Sequence, residues 1–397
     1  MEAVCDDRLL GLIEPSVQSG QLAFANALRR TLRADAPETF RLIELEADDA
    51  YLQPTAFAYM AAAEPWPGEL PLIYSSAVAP NMRPPALEAR SDALGRVFLA
   101  GLGYLSGLPA SSRVELIRDA QSPVGYSPLN ARTQATTLKK WCIGARQPTV
   151  LPYPIQALEE VVVRAGGRLS GIEEASQEHC RTLATALRHI RDCWPVLGGA
   201  IEGVVRHIVL FDEPGRNSFA LRAAHGVAFV NVALGTGELF FVEELAHQGG
   251  HVLFTASWEG GKPLLTVPAN SPISELADID DHRTMEVALH GMFTQTLMVG
   301  VLDRLLACDA LVDRHEAAGR VALALVRLGL DLRVLASLPV YSDAGMELLR
   351  ELIATYMTAA ERHRRLLMAV DLTEQPYNFD YSIYLARNRA MLDAGRA

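Results

Sequence analysis

Apolar residues recur at helical spacing over residues 9–32, which gives a long N-terminal helix one hydrophobic face. Helices and loops fill the chain to about residue 70, with a proline-rich connection from Pro65. The spacing of Leu87, Leu94, Val97, Phe98 and Leu102 predicts a second helix over 85–105, closed by Gly107 and Pro109. Residues 122–154 are rich in Pro, Ser, Thr and Gly and contain Lys139, Lys140 and Trp141; they read as a long surface loop, or as a flap over a substrate groove. Two helical segments follow over 156–197, and the second carries His179 and His189, read as ordinary surface or core residues. Apolar, β-branched runs over 204–211 and 218–232 predict strands, and the turn at 212–217 has hairpin-type punctuation. Beyond them the helical period returns over 284–306, 316–338 and 345–370, before a tyrosine-rich tail at 376–384.

The pattern therefore predicts an α+β chain, mainly helical, with a small sheet directly before a helix near residue 242. Two regions are expected: a helical part, 1–198, able to bind a substrate or leader peptide, and a metal-binding catalytic domain, 199–397.

That helix opens Val-Glu-Glu-Leu-Ala-His-Gln-Gly-Gly-His over residues 242–251. His247 and His251 stand four residues apart, so both imidazoles project from one face. Two neutral imidazole nitrogens at this spacing can bind one divalent metal, as in the zinc signature His-Glu-x-x-His. A sheet leading into such a helix is the order found in zincin metalloenzymes. The residue after the first histidine is Gln248, and an amide cannot take the proton that the signature's Glu takes from a metal-bound water. The metal grip is kept, and hydrolysis through that base is not.

A third ligand is needed, and residues 280–291 offer His290 or Glu286, four apart on one helical face, with Arg283 one turn before Glu286. His290 would make a three-histidine site; Glu286 would make the two-histidine, one-carboxylate set of non-haem iron oxygenases. Glu243 and Glu244 lie one turn before His247, where a carboxylate can orient an imidazole or simply face solvent. Gly249 and Gly250 each cost a helix about 1 kcal/mol and read as room above the metal.

The net charge of -11 argues against nonspecific nucleic-acid binding. Five cysteines without a CxxC pair, and no signal peptide, point to a reducing cytoplasm, and the preference for Arg over Lys fits a GC-rich bacterial genome. No apolar run looks long enough for a membrane; the nearest, 297–306, contains Asp303 and Arg304.

Residues 200–305 resemble the HExxH-motif peptide β-hydroxylases, iron enzymes that use 2-oxoglutarate and act in the biosynthesis of ribosomally made, post-translationally modified peptides. In that family a β-rich segment leads into the His-Glu-x-x-His helix, and a later helix opens with an Asp-x-Arg-like sequence and carries a His-Gly pair. His247 and His251 match the two signature histidines; Asp281, Arg283 and His290-Gly291 resemble the later block. The departure is Gln248 at the position of the motif Glu.

The resemblance implies Fe(II), 2-oxoglutarate and dioxygen acting on a peptide or carrier-bound amino-acyl side chain, with His247, His251 and His290 as ligands. Arg283, and after it Arg387, would anchor the distal carboxylate of the cosubstrate, because a guanidinium fork pairs bidentately with a carboxylate. Two other readings remain: a zinc hydrolase with Glu243 or Glu244 as base, and a non-catalytic metallopeptidase-like scaffold that binds a peptide.

Overall fold

The computed structural model describes residues 7–129, 134–138, 148–308 and 313–394. The chain opens with α1 (Arg8–Asp35), the short α2 (Pro37–Phe40) and α3 (Asp48–Tyr51), then α4 (Pro54–Ala61) and α5 (Leu70–Ile73). Seven strands follow: β1 (Ala86–Arg90), β2 (Val97–Leu99), β3 (Gly103–Ser106), β4 (Arg113–Arg118), β5 (Tyr126–Pro128), β6 (Gln134–Thr137) and β7 (Thr149–Val150). Next come α6 (Gln156–Arg164), α7 (Ile172–Cys193) and α8 (Pro195–Val204), then β8 (His207–Phe211) and β9 (Val227–Asn231). The remainder is helical: α9 (Glu238–Gly260), α10 (Ile273–Leu276), α11 (Met285–Ala307), α12 (Arg314–Leu335), α13 (Asp343–Arg362), α14 (Arg364–Ala369) and α15 (Tyr381–Ala394). Helix makes up 56% of the structure and each sheet has three strands, so the mainly helical α+β class holds.

The chain forms two interleaved units rather than halves divided at residue 198. The first takes residues 1–20, 181–204 and 234–397; the second takes 21–180 and 205–233.

In the first unit α11 is the central helix, packed against α9, α12 and α13. Thr284 caps it by accepting from the Val287 backbone N–H at 3.3 Å. By length and composition α11 could cross a membrane, contrary to the sequence reading, but 72% of its most apolar window is buried inside the unit. Its buried Asp303 meets Arg362 at 2.7 Å and His363 at 2.8 Å. The start of α1 lies close against the end of α9: a Cβ on Gly20 would sit 1.9 Å from the Ala256 carbonyl oxygen, so only glycine permits the approach.

The second unit holds all nine strands found among the described residues. The helix expected over 85–105 is β-structure: β1 pairs with β4, and β2 with β3, all antiparallel. Leu87 and Ala89 are buried while Glu88 and Arg90 face out, a period of two that a few apolar residues also satisfy at helical spacing. Gly95, at φ +68°, turns the chain where a helix would have run on. Within the expected loop at 122–154 lie β5, β6 and β7; Lys139, Lys140 and Trp141 fall outside the described residues. The hairpin expected at 212–217 is absent: β8 pairs parallel to β9, His207 opposite Val227, and β7 pairs parallel to β8. Every residue of β8 and β9 is buried, which explains their near-continuous apolar runs.

Two histidines are locked inside this unit. His207 Nδ1 lies 2.7 Å from Thr149 Oγ1, and burial pulls its pKa down to about 4. His225 lies 2.8 Å from Gln21 Nε2 against the Phe24 ring, and burial, helped by Arg206 and Arg222, pulls it down to about 3. A folded pKa below the unfolded 6.5 makes stability complete above pH 6.5 and progressively lost as pH falls towards about 4. Each buried histidine is then expected to cost about 3 kcal/mol in acid. Urea midpoints between about pH 7 and pH 4 test this: His225→Phe should flatten the decline, and a pH-independent midpoint in the wild type would contradict it.

Candidate metal centre

Helix α9 carries the motif without a break through Gly249 and Gly250. The glycines face neighbouring helices rather than open space above a metal. A Cβ on Gly249 would lie 2.9 Å from the Ile201 side chain of α8, and one on Gly250 would lie 3.0 Å from Leu297 and 3.1 Å from Thr294 of α11. Close helix packing offsets their low helix propensity.

The i, i+4 spacing works as expected. The Nε2 atoms of His247 and His251 face each other at 3.2 Å. Two nitrogens each about 2.0–2.1 Å from one metal, at angles between octahedral and tetrahedral, are roughly 2.8–3.4 Å apart, so these two imidazoles fit one ion. Without metal the same spacing suits an N–H···N hydrogen bond.

His290, on α11, also comes to the group, but from the other edge of His251. Its Nδ1 lies 3.4 Å from His251 Nδ1, and its ring packs edge-on against Phe254 and near Trp258. His247 and His290 therefore address opposite nitrogens of His251, and among the described residues no three potential ligands share one point. Burial, with His247 and His290 beside it, holds the His251 pKa well below its usual value, and burial brings His290 down to about 4. Both rings are neutral, the form that binds metal. Of the two candidate third ligands, neither His290 nor Glu286 lines the cavity that His247 and His251 face.

That cavity measures about 190 Å³ and is bounded by α9, α11, α12 and the tail. His247 and His251 line it together with Glu243 and Glu244. Gln248 does not; it is fully buried, its Nε2 3.1 Å from Glu244 Oε2 and 3.2 Å from His247 Nδ1, while its Oε1 has no partner. Residue 248 thus stands behind His247 with Glu244, where it orients the ring instead of meeting a substrate. Glu243 is bound to the buried Arg320, and burial raises its carboxyl pKa.

The two arginines chosen from the sequence are committed elsewhere. Arg283 lines the cavity, but it meets Asp281 and Asp331 at 2.7 Å each, and these partners raise its pKa further. Arg387 is not at the cavity at all; on α15 it pairs with Glu374 and, at 3.9 Å, with Asp371.

The cavity has two arginines that the sequence reading missed, Arg320 and Arg327, both on α12. Arg320 is 5% exposed, joined to Glu243 and to Glu316 at 2.7 Å, and stacked on Phe379. Arg327 gives an N–H to the Pro376 carbonyl at 2.9 Å and lies over the Tyr377 ring, and no acid among the described residues pairs with it. Burial lowers its pKa. The available signal was their spacing: seven residues, two turns, places both on one face beside Leu323 and Ala324. Of the tail tyrosines, Tyr377 lines the cavity and Tyr384 is fully buried core.

In comparisons with known proteins, the sequence matches no protein-family model and no curated protein.

Proposed function

We propose that this chain is an iron(II)- and 2-oxoglutarate-dependent oxygenase that hydroxylates a peptide or amino-acyl side chain. The observation that carries the reading is one cavity with paired imidazole nitrogens on one wall and, on another, an arginine without an acidic partner among the described residues. When bound, iron(II) with 2-oxoglutarate supplies dioxygen activation and oxidation of a C–H bond. His247 and His251 would hold the iron, with His290 on the far edge of His251. Glu244 and Gln248 fix the His247 ring from behind.

Arg327 takes the anchoring role first given to Arg283, because no acid among the described residues pairs with it and only its Nη2 is engaged, on the Pro376 carbonyl. Phe240, Val287 and Met298 supply apolar wall that excludes water and strengthens that pairing. The rim tyrosine, Tyr377, suits a peptide substrate.

Anaerobic titration with iron(II) and then 2-oxoglutarate tests the reading. A weak metal-to-ligand charge-transfer band is expected only when both are present. Arg327→Gln should keep iron binding and raise the 2-oxoglutarate requirement about tenfold or more. Tight zinc binding with no band would replace the oxygenase by the hydrolase or the scaffold.

A further inference from the structure

The second unit has a cavity of its own, about 210 Å³, between α4, the loop after it, the β1–β2 turn and the start of α6. Its lining includes two polar groups with capacity to spare. Thr55, 3% exposed, has a hydroxyl with no hydrogen-bond partner among the described residues. Arg96, 8% exposed, gives its Nε–H to Asp92 at 2.9 Å and lies 5.1 Å above the Tyr153 ring, while its two terminal amino groups make no hydrogen bond among the described residues.

The α6 N-terminus opens onto the same space through Gln156 and Ala157. No side chain caps it, and its first backbone N–H groups that find an acceptor are those of Leu158 and Glu159, both on Ile155. An arginine, a hydroxyl and uncapped helix N–H groups together make a seat for a carboxylate.

Glu69 and Glu160 line the cavity too, as do Glu64 and Asp92, and burial and the nearness of Glu160 raise the Glu69 carboxyl pKa. Arg90 stacks on Trp66 at 4.4 Å and its charge still opposes the rise at Glu69, while Gln156 Nε2 donates to Glu160 Oε1 at 2.9 Å. The rings of Tyr59, Phe98 and Tyr104 line the same space, the last two 4.8 Å apart.

We propose that this cavity binds a free zwitterionic α-amino acid with an apolar or aromatic side chain. Its carboxylate seats on Arg96, Thr55 and the α6 N-terminus, its ammonium lies between Glu69 and Glu160, and its side chain meets the aromatic walls. The assignment is independent of the metal centre and holds whether or not that centre is an oxygenase.

Calorimetric titration of the full chain with L-phenylalanine, L-leucine and L-methionine tests it. At least one should bind with a dissociation constant in or below the low millimolar range, and the binder's amide and N-acetyl derivatives should each bind about tenfold more weakly or worse, because each blocks one pole. Arg96→Gln should weaken the free amino acid and leave the already weak amide nearly unchanged. No heat with any of the three, or equal binding of the blocked derivatives, would overturn the proposal. The blocked ligands decide it even if the buried Arg96 variant fails to fold.

Discussion

Replacing His247 by alanine is expected to weaken iron(II) binding by about 100-fold or more, beyond the effect of losing a residue that only supports a ligand. The geometry behind this is the 3.2 Å approach of the His247 and His251 Nε2 atoms, which leaves one imidazole alone once the other is gone. The fold should survive. His247 sits on the cavity side of α9, whereas the buried face of that helix is carried by Phe241, Leu245, Phe254 and the glycine contacts to α8 and α11. Circular dichroism and the urea midpoint should therefore match the wild type while metal analysis shows the loss. Full metal occupancy in His247→Ala would remove the site from this pair of histidines altogether.

The largest loss of stability is expected at Arg320. Arg320→Met removes the cation that faces the buried Glu243 and the half-buried Glu316, and an uncompensated buried carboxylate costs about 3–5 kcal/mol. Glu243 answers by holding its proton more tightly, since burial already raises its pKa and the opposing arginine is gone. A carboxyl whose folded pKa lies above its unfolded value contributes stability that is complete below the unfolded pKa and lost as pH rises through the folded one. The deficit of Arg320→Met should thus be larger near pH 8 than near pH 5. Adding Glu243→Leu should recover part of the loss, because a buried ion pair replaced whole by apolar groups is often neutral. Chemical denaturation of the single and double variants measures both effects, and a single variant as stable as wild type would show that the pair carries no weight.

The helices that run for many turns were legible from the chain, because their apolar period repeats often enough to exclude a strand. This holds for α1, α7 and α11, and for the placement of His247 beside His251, which depends only on helical pitch. The stretch 85–106 was misread because short antiparallel strands with turn glycines offer only a handful of apolar positions, compatible with either period. The parallel pairing of β8 with β9 was equally hidden, since a turn signal at 212–217 says nothing about which edge the next strand joins.

Local pitch and patterning thus determined the helical class and the histidine pair, both consequences of spacing within one element. Tertiary structure alone decided which arginine faces the cavity. Arg283 is held by Asp331, 48 residues further along the chain, and Arg320 by Glu243, 77 residues away, while Arg327 has no acid among the described residues. Charge pairing depends on distance in space, and that distance is fixed only when α9, α11 and α12 pack together.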